Sequence, residues 1–237
     1  MEKLLTLFIA YSIVFSASAN ATDSVSAEEL LRAADAVRNP AENYRMQIQV
    51  VTANSDQEFE VLLKGPEKTL VVVKKPSRDI GRNMLMLERD FYAYIPNLKR
   101  SMRLSLAQKL AGEVANGDIA RTRWAGDYTP SIEKQTTEEL VLFLDGKKQG
   151  LTYSKMRLWI DPKTHRPIHA EFLGLDGKTV LKRAWYEEYK TLAGAERPSV
   201  LRIEDTAGKK STIRVLSMET KELSESLFSV SYLEKAR

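Results

Sequence analysis

The sequence predicts a mainly β domain with helices (α+β), in which a large, strongly curved antiparallel sheet of about 10 or 11 strands carries helices on its concave side. Three observations predict this fold class. Apolar residues recur at every second position through most of the chain, turn residues separate the alternating segments, and a clear helical period occurs near the start. The chain has 237 residues, and a domain of about that size can bury a core of its own.

The first 21 residues have the pattern of a cleavable export signal. Lys3 precedes an uncharged stretch over residues 4–17, and residues 19–21 (ANA) supply the small side chains that signal peptidase recognises. The uncharged stretch is shorter than the roughly 20 residues that span a bilayer, although an uncut membrane anchor is the alternative. We therefore expect cleavage after Ala21, which leaves residues 22–237 as a single exported domain.

The composition argues against several classes of protein. The chain contains no cysteine, which rules out disulfides, thiolate metal sites and a lipid-modified cysteine. Its 36 basic and 32 acidic residues give a net charge of +4 and are interspersed along the sequence. A nucleic-acid-binding surface needs basic residues concentrated in one stripe, so no nucleic acid partner is expected.

A helix is predicted to begin after Ser26. Ser26 and Glu29 have the spacing of a capping box, and Pro40 ends the pattern because proline disfavours a helical residue before it. Leu30 and Val37 belong to the apolar stripe between these limits. We expect this stripe to pack on the sheet.

Eleven later segments show the period of two that is typical of antiparallel strands with one covered face. In the first of them, Tyr44, Met46 and Ile48 alternate with Arg45 and Gln47. The predicted strands lie in residues 44–50, 58–63, 69–73, 84–87, 91–95, 140–144, 156–160, 168–172, 180–189, 200–203 and 211–218. Because apolar residues spaced by two share one side of a strand, we expect them to face the concave side together.

The alternation fails over residues 96–138. Leu104, Leu106 and Leu110 lie in mixed polar surroundings there, and we predict a short helix within residues 102–112 followed by a long connection. A long connection in a compact domain is usually functional or mobile. This segment is therefore the candidate for a lid.

The sequence shows no recognisable catalytic or metal-binding motif. The two histidines, His165 and His169, have no carboxylate pair near them at metal-ligand spacing. His169 lies one step from Ile168 and Ala170, which predicts an exposed strand histidine. The nucleophile elbow, the phosphate-binding loop and the dinucleotide fingerprint are all missing from the sequence. We expect no enzymatic activity, no bound metal and no cofactor.

Three stretches resemble the LolA-like superfamily of periplasmic outer-membrane lipoprotein-sorting proteins, in its little-characterised branch. Residues 90–103 (DFYAYIPNLKRSMR) are similar to an aromatic strand that ends in a Y-x-P-x-L-x-R element. Residues 158–178 (LWIDPKTHRPIHAEFLGLDGK) resemble the branch's Trp-x-Asp hairpin, and residues 227–233 (LFSVSYL) resemble its F-x-x-x-x-L ending. The likeness covers nearly all of the chain after the predicted signal. It departs at residues 117–128, where many relatives have a Gly-Ser-Asp-Phe-like patch.

The resemblance implies an incomplete β-barrel closed by helices around an apolar cavity that receives acyl chains. It implies a soluble periplasmic carrier for the acyl chains of a lipoprotein or lipid, with an inner-membrane transporter as the donor, and we expect a monomer. Three alternatives stay open. They are a fully packed core without a cavity, a binding module that docks a membrane protein through its concave sheet or through Lys99, Arg100 and Arg103, and a hydrolase of envelope lipids.

The predicted cavity wall combines the first helix with inward-facing strand residues. The candidate ligand-binding residues are Leu30, Val37, Met46, Ile48, Phe59, Val61, Met84, Met86, Met156, Leu158 and Phe172. The methionines among them suit irregular ligands because their side chains are flexible, although methionine more often fills gaps in a core.

Overall fold

The computed structural model describes residues 25–39, 42–120 and 123–235. The predicted export signal over residues 1–21 lies outside the described residues. Within the described ranges, no helix is long and apolar enough to cross a membrane. The α-helices are α1 (Ala27–Arg38), α2 (Asn116–Ala120) and α3 (Val230–Lys235). The strands are β1 (Asn43–Thr52), β2 (Asp56–Lys64), β3 (Lys68–Lys75), β4 (Met84–Leu87), β5 (Asp90–Ile95), β6 (Arg100–Leu104), β7 (Lys109–Ala111), β8 (Val114–Ala115), β9 (Tyr128–Gln135), β10 (Leu140–Gly146), β11 (Lys155–Ile160), β12 (Pro167–Leu173), β13 (Val180–Leu192), β14 (Ala195–Asp205) and β15 (Lys210–Thr220).

One antiparallel sheet contains thirteen of the described strands, in the order β6-β5-β4-β3-β2-β1-β15-β14-β13-β12-β11-β10-β9. The sheet consists of two meanders. The first runs from β1 outward to β6, the second runs from β9 inward to β15, and the two meet where β1 pairs with β15. The sheet is therefore open, with β6 and β9 as its edges. The small β7–β8 hairpin and α2 lie in the connection between these edges.

All eleven predicted strands are present, and the structure adds β6, β7, β8 and β9 to them. The helix predicted within residues 102–112 is wrong. The start of this segment, as far as Leu104, belongs to β6, which pairs with β5 at the edge of the sheet and leaves Met102 exposed. β9 escaped prediction because all of its side chains except Tyr128 and Pro130 are exposed, so the strand shows little apolar alternation.

The first helix follows its prediction closely. Ser26 accepts a hydrogen bond from the Glu29 main-chain N–H at 3.2 Å, and the Glu29 carboxylate accepts one from the Ser26 N–H at 2.9 Å. These two bonds complete a capping box and satisfy donors that a helix start otherwise leaves unpaired. The helix ends at Arg38, and its buried side includes Leu30, Leu31 and Ala34.

The two faces of the sheet carry separate apolar clusters. In β4, Met86 joins the larger cluster and Leu85 joins the smaller one, as strand alternation requires. We define the inner face as the one with the larger cluster, which contains Leu31 of α1 and Ile119 of α2 together with side chains of β1–β5 and β9–β15. The smaller cluster lies on the outer face under Leu233 of α3. An open sheet with helices on its inner face is consistent with an incomplete barrel, while the strong curvature stays a prediction.

The prediction for the histidine hairpin is wrong in detail. A register shift between Trp159 and Ile160 brings Pro167 to the buried side and leaves Ile168 exposed. His169 is half-buried, because its ring stacks on that of Trp159 with 4.0 Å between the centroids. The burial lowers the pKa of His169 below its usual value.

Candidate functional site

A buried aspartate fastens α1 to the segment that precedes β9. Asp35 is only 6% exposed, and its carboxylate accepts hydrogen bonds from the main-chain N–H groups of Trp124 and Ala125 at 2.9 and 3.0 Å. The Asn39 amide donates a further bond to the same carboxylate at 3.2 Å. Burial nevertheless raises the pKa of Asp35, because removing a carboxylate from water disfavours its charged form. We call the junction of α1 with Trp124 and Ala125 the seam.

Arg38 lies beside the same junction. Its guanidinium carbon lies 3.7 Å from the centroid of a Trp124 ring and 5.6 Å from that of Tyr186, and the two aromatic rings meet edge to face. Its Nη1 atom is 3.7 Å from an Asp35 carboxylate oxygen and has no hydrogen-bond partner in the described part of the chain. The seam is thus held by polar and cation–π contacts inside an otherwise apolar interior.

Two cavities border Arg38, with volumes of about 40 and about 70 Å³. Arg38, Asp118, Tyr186 and Leu201 line both of them. The smaller is also lined by Gly117, Arg123, Trp124, Asp127, Tyr128, Leu151, Thr152, Tyr153, Met156 and Phe172. The larger is also lined by Asn39, Met46, Ile48, Ile119, Arg197, Pro198, Ser199, Val200, Ile213 and Val215.

Asp118 holds α2 in place against the sheet. Its carboxylate pairs with the Lys182 ammonium at 3.1 Å and accepts hydrogen bonds from the Tyr153 hydroxyl and the Ala115 N–H, both at 2.8 Å. The Lys182 ammonium also donates to the main-chain oxygen of Glu113 at 2.7 Å. Both charges of this buried pair are therefore neutralised by partners.

Arg197 is as deeply buried as Lys182 but has a different environment. It is 6% exposed and lines the larger cavity from β14. One guanidinium nitrogen contacts the sulfur of Met218, the guanidinium carbon is 5.9 Å from the Tyr44 ring centroid, and Nε has no hydrogen-bond partner among the described residues. Burial, with a smaller contribution from the like charge of Arg38 and against the opposing effect of Tyr44, lowers the pKa of Arg197 to about 10. The side chain is still a cation at neutral pH.

The structure places all predicted ligand-binding residues except Val37 in the larger apolar cluster. Met46 and Ile48 line the larger cavity, and Met156 and Phe172 line the smaller one. Val37 is half-buried. The remaining predicted residues lie in the packed interior and line neither cavity; they are Leu30, Phe59, Val61, Met84, Met86 and Leu158.

Sequence reasoning missed the polar residues of the site. Asp35 and Arg38 follow Leu31 at intervals of four and three residues, so the helical period itself places them on the buried stripe. Arg197 has no such signal, because the residues around it do not alternate. Within the described residues, no group of three or more His, Asp or Glu side chains could hold a metal ion.

The protein has an open antiparallel sheet with α1 and α2 on its inner face and cavities beside Arg38, an architecture consistent with the class of incomplete β-barrel proteins. A crystal structure of a LolA superfamily protein from Nitrosomonas europaea is 32% identical to the chain and has a TM-score of 0.80, with coverage of 88% of this chain and 100% of that one. The chain therefore belongs to the LolA superfamily.

More distant structures share the fold. A putative outer membrane lipoprotein-sorting protein domain from Vibrio parahaemolyticus is 20% identical, with a TM-score of 0.74 and coverage of 88% of this chain and 98% of that one. A DUF1329 family protein from Desulfovibrio piger is 17% identical, with a TM-score of 0.73 and coverage of 87% and 97%. A family model described as that of an uncharacterised protein matches residues 65–235. A search of curated proteins gives no match.

Proposed function

We propose that the protein is a soluble periplasmic carrier that takes the acyl chains of a lipoprotein or lipid into its interior and delivers them toward the outer membrane. Membership of the LolA superfamily supports this proposal. The observation that carries it is the seam, where Asp35 and Arg38 make polar contacts to Trp124 and Ala125 over an apolar interior. Polar contacts of this kind can be exchanged for water, whereas a wholly apolar closure would resist opening.

The interior is closed in this conformation. Cavities of about 40 and about 70 Å³ hold a few water molecules, since each needs about 10 to 15 Å³. Pockets that enclose a ligand of ordinary size are about 300 to 1,000 Å³. Uptake of an acyl chain therefore requires the interior to open. We propose that it opens where α1 meets Trp124 and Ala125, because this segment lies within the region predicted as a lid, residues 96–138.

Binding and release make up the whole mechanism, and no covalent bond is made or broken. Burial stabilises an acyl chain by about 0.8 kcal/mol per methylene, so a long chain gains roughly 10 kcal/mol. Spontaneous release is slow at that affinity. The carrier consequently needs an acceptor that drives release. An inner-membrane transporter fits the family resemblance as the donor.

The first experiment is native mass spectrometry of the protein taken gently from the periplasm. We expect a mass for a chain that starts at Thr22, after cleavage behind Ala21, together with a bound acyl compound. A mass that includes Met1 would contradict the export signal. The absence of any bound compound, together with no uptake of a fluorescent fatty acid by the purified protein, would contradict the carrier.

A variant of the seam tests the lid directly. Asp35→Ala removes the acceptor for two main-chain N–H groups, so the closed form loses about 1 to 3 kcal/mol of stability. The rate of fluorescent fatty acid uptake should therefore increase roughly 5- to 150-fold. Asp161→Ala is the matched control. Asp161 also accepts two main-chain N–H groups, from Lys163 and Thr164, in an exposed turn. Equal uptake rates in both variants and the wild type would show that the seam is not the gate.

A second candidate function is a non-carrier module that docks an inner-membrane transporter. β6 favours it, because this strand is an edge of the sheet and carries the exposed side chains of Arg100 and Arg103. An exposed edge can pair with a strand of another protein. Under this alternative the protein would still bind its membrane partner but would take up no lipid.

A further inference from the structure

β13 and β14 each carry one buried cation that faces inward, and the two cations have different partners. Lys182 has an acidic partner in Asp118 and a main-chain acceptor in Glu113. Arg197 has neither: its contacts are the sulfur of Met218 and the ring of Tyr44, and no carboxylate of the described residues lies within ion-pair distance of it. A buried cation without an anion costs much more than a paired one.

The other groups around the larger cavity do not compensate Arg197. Asp118 forms an ion pair with Lys182, and Asp35 accepts the main-chain hydrogen bonds of the seam. Burial raises the pKa of Tyr186 to about 12, so its hydroxyl is neutral at physiological pH. Arg38 has Asp35 as its ion-pair partner at 3.7 Å, but its Nη1 atom also lacks a hydrogen-bond partner in the described part of the chain. The larger cavity therefore has one unpaired positive charge, that of Arg197, and unused N–H donors on both arginines.

We infer that Arg197, assisted by Arg38, binds the anionic headgroup of the lipid, a carboxylate or a phosphate, while the acyl chain lies in the apolar interior. This inference rests on the proposed carrier function and specifies its ligand. Guanidinium groups suit both anions because their N–H donors form a planar fork. Met46 and Ile48 line the same cavity as Arg197 and provide the apolar surface beside the headgroup.

The ligand class follows from the position of the charge. An acyl compound with an anionic group next to its chain, such as a fatty acid or an acidic phospholipid, pairs with Arg197 when it binds. An acyl chain without a neighbouring negative charge leaves Arg197 unpaired and binds more weakly. The carrier should therefore discriminate between ligands with the same chain and different headgroups.

The test compares three competitors with one acyl chain: palmitate, palmitoyl lysophosphatidic acid and uncharged monopalmitin. Each displaces a fluorescent acyl probe from the whole exported domain. We expect the wild type to bind at least one anionic competitor about tenfold more tightly than monopalmitin. Whether palmitate or the lysophosphatidic acid is preferred distinguishes a carboxylate ligand from a phosphate ligand.

Arg197→Met should lower the affinity for the anionic competitors about tenfold and leave that for monopalmitin unchanged. Arg197→Lys keeps the charge and should retain most of the preference. The matched control is Arg202→Met, on the same strand, because Arg202 pairs with Glu187 at the surface. Its preference should equal that of the wild type. Arg197→Met should melt no lower than the wild type, since an apolar side chain replaces an unpaired buried charge.

Equal affinity of the wild type for palmitate, lysophosphatidic acid and monopalmitin would overturn the headgroup site and leave the carrier function standing. A preference that survives in Arg197→Met would also overturn it. If no competitor and no probe binds to the wild type, the carrier function itself fails and the headgroup site fails with it. Should Arg197→Met not fold, Arg197→Gln, which removes the charge and keeps hydrogen-bond donors, takes its place, and a full preference in Arg197→Gln would overturn the headgroup site.

Discussion

At the scale of single residues, the proposed closure of the interior depends on polar side chains at the seam. Asp35 lies on the buried stripe of α1, where a leucine would serve packing better, and it accepts main-chain N–H groups that the turn before β9 would otherwise leave unpaired. The arrangement costs stability, because burial raises the pKa of its carboxyl. The hydrogen bonds of Asp35 hold the proposed lid closed, and the return of its carboxylate to water lowers the free-energy cost of opening.

The raised pKa gives a prediction for stability against pH. Because the folded-state pKa of Asp35 lies above its unfolded value near 3.8, its contribution to stability is fully present below that value and is lost as the pH rises through the folded-state pKa. Urea unfolding of the wild type and Asp35→Asn between about pH 4 and pH 7 measures this contribution as the difference in their free energies of unfolding. The wild type should lose stability relative to Asp35→Asn as the pH rises. A relative gain over that range would show that the hydrogen bonds outweigh burial.

Elements differ in how far the sequence predicts them. The bounds and the cap of α1 follow from Ser26, Glu29 and the apolar stripe, because capping is a local interaction. Strands with a covered face were predictable from alternation. β6 and β9 were not, because an edge strand exposes most of its side chains and is held by main-chain pairing with a neighbour. Non-local pairing leaves little trace in the local pattern.

The apolar stripe of α1 gives an element-scale prediction. Leu30 is 3% exposed in the core, whereas Val37 is half-buried and outside the larger cluster. Leu30→Asp should therefore lower the free energy of unfolding by more than about 3 kcal/mol, and Val37→Asp by about 1 kcal/mol. Thermal melting and urea unfolding compare the two. Equal losses would mean that α1 packs along its whole length.

The whole molecule combines a predictable fold with a site that local pattern does not reveal. Apolar alternation predicted the sheet and most of its inner face, and those residues do lie together in one cluster. The cavities, however, form where polar groups interrupt the packing: Arg38, Asp118 and Arg197 border them, and tertiary contacts alone bring these three together. A sequence pattern reports the average face of an element and does not locate such interruptions.

Two bulky substitutions separate a carrier from a solid core at this scale. Ile48 lines the larger cavity, so the ring of Ile48→Trp can enter existing space and should block lipid uptake with little loss of melting temperature. Leu158 is fully buried and lines neither cavity, so Leu158→Trp should overpack the interior and cost about 1 to 3 kcal/mol. Fluorescent fatty acid uptake and thermal melting measured on both variants give the contrast. If both variants unfold and the wild type takes up no fatty acid, the interior is a packed core and the docking module replaces the carrier.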